Sequence, residues 1–141
     1  MISMCTQCGG LNNIPEDKLG NNPKCGKCGN PLYQGKPIGM NSTQLARAIA
    51  KSDELLVVDF WASWCGPCKQ FAPTFAKAAA QIEPKARFIK IETESEQAAA
   101  AQHNIRSIPT LVLFKNGREL DRVSGALGEA DFINWVGQYT Q

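Results

Sequence analysis

The chain has 141 residues, of which 43% are hydrophobic and 20% charged, which is the composition of a folded globular protein and excludes a disordered one. Its length fits one domain, or one domain with a small appendage. The 15 Lys and Arg residues against 13 Asp and Glu give a net charge of only +2, so no extended basic surface is expected and nucleic acid is not a predicted partner.

The first predicted element is a metal module built on cysteines. Two Cys-x-x-Cys pairs with 16 residues between them open the chain: Cys5, Cys8, Cys25 and Cys28. This spacing is typical of a four-cysteine zinc site. Four thiolates leave no open coordination position, so we predict one structural zinc ion. Two alternatives remain open from the spacing alone, namely ordinary thiols and a second redox pair.

The metal module is predicted to span residues 1–35, and a second domain residues 36–141. A segment of about 35 residues buries too little surface to fold alone, so metal binding is expected to supply most of its stability. Residues 11–15 and 20–23 are rich in Asn, Gly and Pro, which predicts turns. A short strand at residue 32 and then a linker are expected to end the module.

The second domain begins with a short strand at residues 37–40 and a helix. Asn41-Ser42-Thr43 is predicted to cap this helix, with Leu45, Ala46 and Ile49 on its apolar face. The aliphatic run 55–58 continues to residue 61 as a buried central strand. That run is far shorter than the roughly 18 apolar residues of a membrane span, so no membrane anchor is predicted.

The remaining elements alternate in type. A helix follows Cys65, with Pro73 as an expected kink, and residues 87–93 and 94–103 are predicted as strand and helix. Residues 110–115 and 118–124, joined by Asn116-Gly117, predict a hairpin, and residues 130–139 the last helix. This order predicts the α/β class, with a mixed central sheet covered on both faces by helices.

Cys65 and Cys68 lie where the central strand is predicted to meet a helix, and we interpret them as a redox dithiol. Cysteines three residues apart in one helical turn can form a disulfide with little backbone movement. The N–H groups and dipole at the helix start favour a thiolate, so Cys65 is the expected nucleophile and Cys68 the resolving thiol. Pro67 is compatible with the first turn, and Gly66 leaves the sulfur unshielded.

Asp59 interrupts the apolar residues of the predicted central strand. Burial would raise its pKa, and such a carboxyl could accept the proton of Cys68 through a water molecule. A carboxyl that reaches solvent at the strand end is an equal alternative from the sequence alone. His103 has no partner residue at a suitable spacing, so it is expected to be a surface or helix-end residue.

Five sequence blocks together resemble the thioredoxin family. They are Val58 to Ala62, Trp64 to Lys69, Ser107 to Thr110 and the two cysteine pairs at the start of the chain. The resemblance covers residues 36–141, and the leading pairs are similar to those of the zinc-containing bacterial thioredoxin-2 type. The resemblance implies a thioredoxin fold with a small N-terminal zinc module.

The resemblance also implies roles for residues around the dithiol. Asp59 becomes the proton acceptor, with Lys90 beside it in a weaker role, and Pro109 follows a cis peptide bond. In the family, the residues around the two sulfurs form the surface that contacts substrate. In this chain they are Trp64, Gly66, Pro67, Ile108, Gly125 and Ala126.

The implied activity is protein-disulfide reduction by Cys65 and Cys68, with recycling by a flavin-containing, NADPH-dependent thioredoxin reductase. No organic cofactor is expected, and the chain is expected to be a monomer. The start of the chain lacks a basic and apolar leader, so a cytoplasmic location is predicted. The zinc site is interpreted as structural or redox-sensing. The alternatives are a zinc-gated redox chaperone or assembly module, and an oxidase or isomerase.

Overall fold

The computed structural model describes residues 1–140; residue 141, the last of the predicted second domain, lies outside the described residues. The strands are β1 Ile2–Met4, β2 Leu11–Asn13, β3 Ile38–Gly39, β4 Leu56–Trp61, β5 Arg87–Glu92, β6 Thr110–Lys115 and β7 Arg118–Ser124. The helices are α1 Ser42–Lys51, α2 Gly66–Ile82, α3 Gln97–Gln102 and α4 Glu129–Gly137, with a 3-10 turn at Glu16–Lys18. Within residues 1–140, every helix is too short or too polar to cross a membrane.

Five strands form one mixed sheet in the order β3-β5-β4-β6-β7. Strand β4 is parallel to β5 on one side and antiparallel to β6 on the other. Because β4 lies in the middle, its residues are buried almost throughout, which explains the uninterrupted apolar run in the sequence. The predicted α/β class with a mixed, helix-covered sheet is confirmed.

The two faces of the sheet bury separate apolar clusters. Successive side chains of β4 point to opposite faces of the sheet. Leu56, Val58 and Phe60 pack with α1 and α3, whereas Val57 packs with α2 and α4. The α2 side holds a group of mutually tilted or edge-on aromatic rings at 5.1–6.4 Å between centroids, an arrangement that adds to the burial energy of rings. Its members are Phe71, Phe75, Phe88 and Phe132.

Several element boundaries differ from the sequence expectations. Residues 11–13 form strand β2 and not a turn, and residue 32 is not in a strand. The inner face of α1 carries Leu45, Ala48 and Ile49, whereas Ala46 is exposed. Helix α3 begins only at Gln97 because residues 93–95 form a turn. Short elements of this kind are set by tertiary contacts more than by local pattern.

Helices α1 and α3 form hydrogen bonds with each other at their N-terminal ends. Ser42 N and Oγ donate to Glu96 Oε1 over 2.7 and 3.1 Å, and Ser42 Oγ accepts the N–H of Ala99 over 3.1 Å. Asn41 also forms the predicted cap of α1, accepting the N–H of Gln44 over 2.8 Å. Helix starts have unpaired N–H groups, so this exchange fixes the two helices relative to each other.

The N-terminal module packs tightly on the five-stranded sheet domain through Arg87. This side chain is 3% exposed and forms an ion pair with Glu54 over 3.1 Å. Its other N–H groups donate to Ser3 Oγ and to the carbonyls of Met4 and Leu32 over 2.8–3.3 Å. These acceptors offset the desolvation cost of the buried guanidinium. Because three of them belong to the N-terminal module, the two parts of the chain form one packed body.

Candidate active site and metal centre

Cys65 and Cys68 are joined as a disulfide at the start of α2, with their Cα atoms 5.3 Å apart. Cys65 is the N-cap residue, and its Sγ accepts the N–H of Cys68 over 3.2 Å. Gly66 and Pro67 occupy the first helical turn and are exposed. The sulfur of Cys65 therefore lies at the positive end of a helix, where a thiolate is favoured.

Asp59 is completely buried in the middle of β4. Neither carboxyl oxygen has a hydrogen-bond partner among residues 1–140. Desolvation raises the pKa of Asp59 to about 7, and the charge of Lys90 lowers it only in part. Lys90 is its register partner on β5, with Nζ 4.5 Å above the ring of Trp61. A carboxyl with this pKa can exchange a proton near neutral pH.

The loop before β6 lies against the dithiol. The Ile108–Pro109 peptide bond is cis, and the Ile108 carbonyl oxygen is 3.8 Å from Cys65 Sγ. Gly125, with a φ of 107°, donates its N–H to the Pro109 carbonyl over 2.7 Å, and Ala126 follows it and is exposed. The bond from Gly125 ties the loop after β7 to the loop beside the sulfurs.

Trp64 is the most exposed large apolar side chain within residues 1–140, at 67%. Its Nε1 donates to Glu94 Oε1 over 2.8 Å, so the indole is held by the turn after β5. Together with Ile105 and Ile108 it lines a groove of about 200 Å³. An exposed apolar surface beside a disulfide is suited to contact another polypeptide.

The four N-terminal cysteines converge on one point. Every pair of their sulfurs lies within 4.8 Å, and Cys5 to Cys28 and Cys8 to Cys25 measure 3.7 and 3.6 Å. Tetrahedral zinc with bonds of about 2.3 Å separates its sulfur ligands by roughly 3.8 Å, so the observed spacing suits such an ion. These four residues form a metal site.

Backbone and amide donors surround those sulfurs. Gln7, Gly10 and Lys27 each donate a backbone N–H to a cysteine sulfur over 3.4 Å. N–H donors, first the backbone of Cys28 and then the side chain of Asn12, lower the pKa of Cys25 to about 6. At Cys8 the Gly10 N–H lowers the pKa, but the side chain of Cys25 and desolvation outweigh it and raise the pKa to about 11, so the pair favours a thiolate on Cys25 first. Donors of this kind stabilise the thiolates that a metal needs, which supports the metal interpretation over ordinary thiols.

Other residues depart from the sequence expectations or were not expected. His103 is the C-cap residue of α3, as expected for a helix-end position, but its half-buried ring contacts Phe60 and Phe114 at 6.0 and 5.0 Å between centroids. Glu94 was predicted as the first residue of a helix, and nothing in the sequence pairs it with Trp64. Arg87 looked like an ordinary strand start; the only local signal was its position before an apolar run.

The fold and the dithiol define the class of protein: an α/β thiol–disulfide oxidoreductase with its redox pair at the start of a helix. A family model described as Thioredoxin matches residues 36–138, and one described as Thioredoxin 2, N-terminal, a zinc ribbon, matches residues 4–30. The chain belongs to the thioredoxin family. Members are protein-disulfide oxidoreductases, and this chain is one of them.

Of the relatives described next, one matches the whole chain and two match about three quarters of it. Thioredoxin C-3 of Corynebacterium nephridii is 43% identical over 141 residues, which is all of this chain and 97% of that protein. Thioredoxin of Haemophilus influenzae is 37% identical over 102 residues, 72% of this chain and 95% of that protein. A solved thioredoxin from Malassezia sympodialis is 31% identical with a TM-score of 0.69, over 78% of this chain and 96% of that one.

Proposed function

We propose that the chain reduces protein disulfides with Cys65 as the attacking thiol. The observation that carries this proposal is the position of Cys65 Sγ at the N-cap of α2, where it accepts an N–H. A hydrogen bond to the thiolate and the helix dipole both lower a thiol pKa. The thiolate form is the one that attacks a disulfide, so Cys65 is prepared for the first step.

The proposed reaction has two exchanges. Cys65 thiolate attacks one sulfur of the substrate disulfide, the substrate S–S bond breaks, and the departing sulfur leaves as a thiolate that takes up a proton. Cys68 then loses its proton and attacks Cys65 Sγ, so the mixed disulfide breaks and the second substrate sulfur is released. The substrate gains two electrons and two protons, and Cys65 and Cys68 are left oxidised.

We assign Asp59 as the acceptor of the proton from Cys68. Asp59 lies on the same face of β4 as Val57 because side chains alternate along a strand. Val57 belongs to the same apolar cluster as Phe71, which is one helical turn after Cys68. Its pKa of about 7 allows it to take a proton at neutral pH and to give it up again. Lys90 is assigned a supporting role, because its charge limits how far burial raises that pKa.

Substrate contact is assigned to the surface around the sulfurs. The cis loop at Ile108–Pro109 can pair its backbone with an extended substrate segment. The contact residues that we assign are Trp64, Gly66, Pro67, Ile108, Gly125 and Ala126.

The metal is assigned as one zinc ion held by Cys5, Cys8, Cys25 and Cys28. A site made of four sulfur ligands has no place for water or substrate, so the ion supplies structure and no chemistry in the reaction. Thiolate ligands persist in a reducing compartment, which is compatible with the predicted cytoplasmic location. Zinc content by emission spectroscopy, before and after mild peroxide, distinguishes a retained structural ion from one that is released on oxidation.

The experiment that tests the proposal compares the two cysteines. Cys65→Ser should abolish reduction of insulin, whereas Cys68→Ser should accumulate a mixed disulfide that is visible on a non-reducing gel. Normal turnover by Cys68→Ser would exclude the two-thiol mechanism. Coupling to NADPH oxidation by a bacterial thioredoxin reductase tests the proposed recycling. Client binding that survives loss of both cysteines would favour the chaperone or assembly alternative.

A further inference from the structure

The outer edge of β2 has main-chain groups that no strand within residues 1–140 pairs with. In an antiparallel pair, hydrogen-bonded and non-hydrogen-bonded positions alternate. Ile14 N donates to Met1 O over 2.7 Å, so the even-numbered residues bond towards β1. The N–H and C=O groups of Leu11 and Asn13 therefore point to the opposite edge.

The outer edge of β1, by contrast, is closed. Ile2 N donates to Asp53 Oδ1 over 2.6 Å, and Asp53 N donates back to the Ile2 carbonyl over 3.0 Å. Edge strands are commonly protected by charged side chains, and the edge strand β7 carries Arg118, Glu119, Asp121 and Arg122. The segment Leu11–Asn13 has no charged residue, so the free edge of the small sheet is open to pairing.

A groove of about 320 Å³ is lined by residues 12–13 of this strand and by residues of the following segment up to Gly26. Ile14 and Pro23 give it apolar walls, and Lys18 and Lys24 are its charged residues; no carboxylate lines it. Leu11, at 37% exposure, is the second exposed large apolar side chain after Trp64 within the described part of the chain. An extended segment that carries both aliphatic and acidic side chains complements this surface.

We propose that the β2 edge and the adjoining groove bind an extended acidic segment of a partner protein. The segment adds a strand beside Leu11–Asn13, with main-chain bonds to Leu11 and Asn13. Its carboxylates face Lys18 and Lys24. The surface lies on the metal module and not at the dithiol, so the chain has two separate contact regions for protein. This interaction does not depend on the proposed redox function.

The test uses the full zinc-loaded chain with Cys65→Ser and Cys68→Ser, which removes dithiol chemistry. The probe is a fluorescein-labelled ten-residue peptide of alternating valine and glutamate, and fluorescence anisotropy measures its binding. Asn13→Pro removes an outward N–H without touching the ladder to β1, so it should weaken binding about tenfold or more. The matched variant Asn13→Ala keeps the N–H and should bind within about twofold of the parent.

The charge requirement is tested separately. Lys18→Ala with Lys24→Ala should weaken binding and remove its salt dependence, and a valine and lysine peptide should not bind. Equal binding by Asn13→Pro and Asn13→Ala, or by the two peptides, would overturn the proposal. Zinc content of each variant establishes that the module is folded. A dimer in sedimentation that Asn13→Pro converts to monomer would instead assign the edge to a second copy.

Discussion

Asp59 and Lys90 lie side by side as register partners on parallel strands, yet they do not form an ion pair that satisfies the carboxyl. Lys90 places its ammonium over the ring of Trp61. The negative charge of Asp59 is therefore stabilised by the field of Lys90 without a hydrogen bond, and burial raises the pKa of Asp59 to about 7. A group in this state affects both stability and proton transfer, and the two effects can be measured separately.

The first prediction concerns stability against pH. The pKa of Asp59 is higher in the folded chain than in the unfolded one, so between about pH 4 and pH 7 the folded state holds the extra proton. The free energy of unfolding should fall across that window as pH rises. Asp59→Asn should be more stable than the parent at pH 8 by up to about 4 kcal/mol, and equal to it near pH 4.

Urea unfolding of the oxidised protein at pH 4, 6 and 8 measures this difference. Asp131→Asn, on the exposed side of α4, is the control and should show little change at any of these values. If the gain in unfolding free energy of Asp59→Asn is the same at all three pH values, the raised pKa of Asp59 is contradicted.

The second prediction concerns Lys90. Its charge lowers the pKa of Asp59, so Lys90→Met should raise that pKa further and shift resolution of the mixed disulfide to higher pH. Carbon NMR of the Asp59 carboxyl follows the titration directly. Lys85→Met, at an exposed position next to β5, is the control. A lower pKa of Asp59 in Lys90→Met would show that a group other than Lys90 dominates the electric field at Asp59.

The third prediction concerns the buried pair Arg87 and Glu54, whose side chains are 3% and 2% exposed. Arg87→Met leaves a buried carboxylate without its cation and should cost about 3–5 kcal/mol of unfolding free energy. Adding Glu54→Gln to Arg87→Met should recover part of the lost unfolding free energy. Lys77→Met, from an exposed pair with Glu129, should cost less than about 1 kcal/mol. Additive losses in the double variant would mean that the pair is not coupled.

The fourth prediction concerns the exchange of caps between α1 and α3. Ser42→Ala and Glu96→Ala each remove a partner from a helix start, so each should cost about 1–2 kcal/mol. Because they share one set of bonds, the double variant should cost less than the sum. Thermal unfolding measures all three, with the exposed neighbour Thr43→Ala as control. Full additivity would mean that the two helices are capped independently.

The fifth prediction concerns the metal. Removal by a chelator under reducing conditions should open the β1–β2 hairpin, because the four cysteines and the few apolar residues around them hold the module together. Amide exchange should accelerate at Cys5, whose N–H donates to the Gly10 carbonyl over 2.8 Å, and at Gly10, whose N–H donates to Cys8 Sγ over 3.4 Å. Readdition of zinc should restore protection. Protection that survives complete metal removal would show that the apolar contacts suffice.

Much of the site could be predicted because its signals are local. The spacing of the four cysteines and the position of Cys65 before a helical pattern determine geometry over one turn of chain. Asp59 was identified because a charge inside an apolar strand is rare, but its exposure could not be decided. That depends on what covers β4, namely α2, which follows it directly, and α4, which comes from the far end of the chain.

The residues that the sequence did not reveal are those whose partners are distant. Arg87 meets Ser3 and Glu54, and Glu94 meets Trp64, across separations of 30 or more residues. An arginine at a strand end and a glutamate in a turn are usually solvated, so no local pattern distinguishes these two. Strands β1 and β2 are three residues long, and such elements exist only because their surroundings support them.

The hydrogen bonds from Arg87 to the N-terminal module also limit how this two-part chain can be divided. The family matches stop at residue 30 and resume at residue 36, so the sequence looks like two separable units. A cut there would leave the guanidinium without its acceptors on Ser3, Met4 and Leu32. Removal of the ribbon would therefore uncover the guanidinium, so an isolated second domain should expose position 87 to solvent where the full chain buries it.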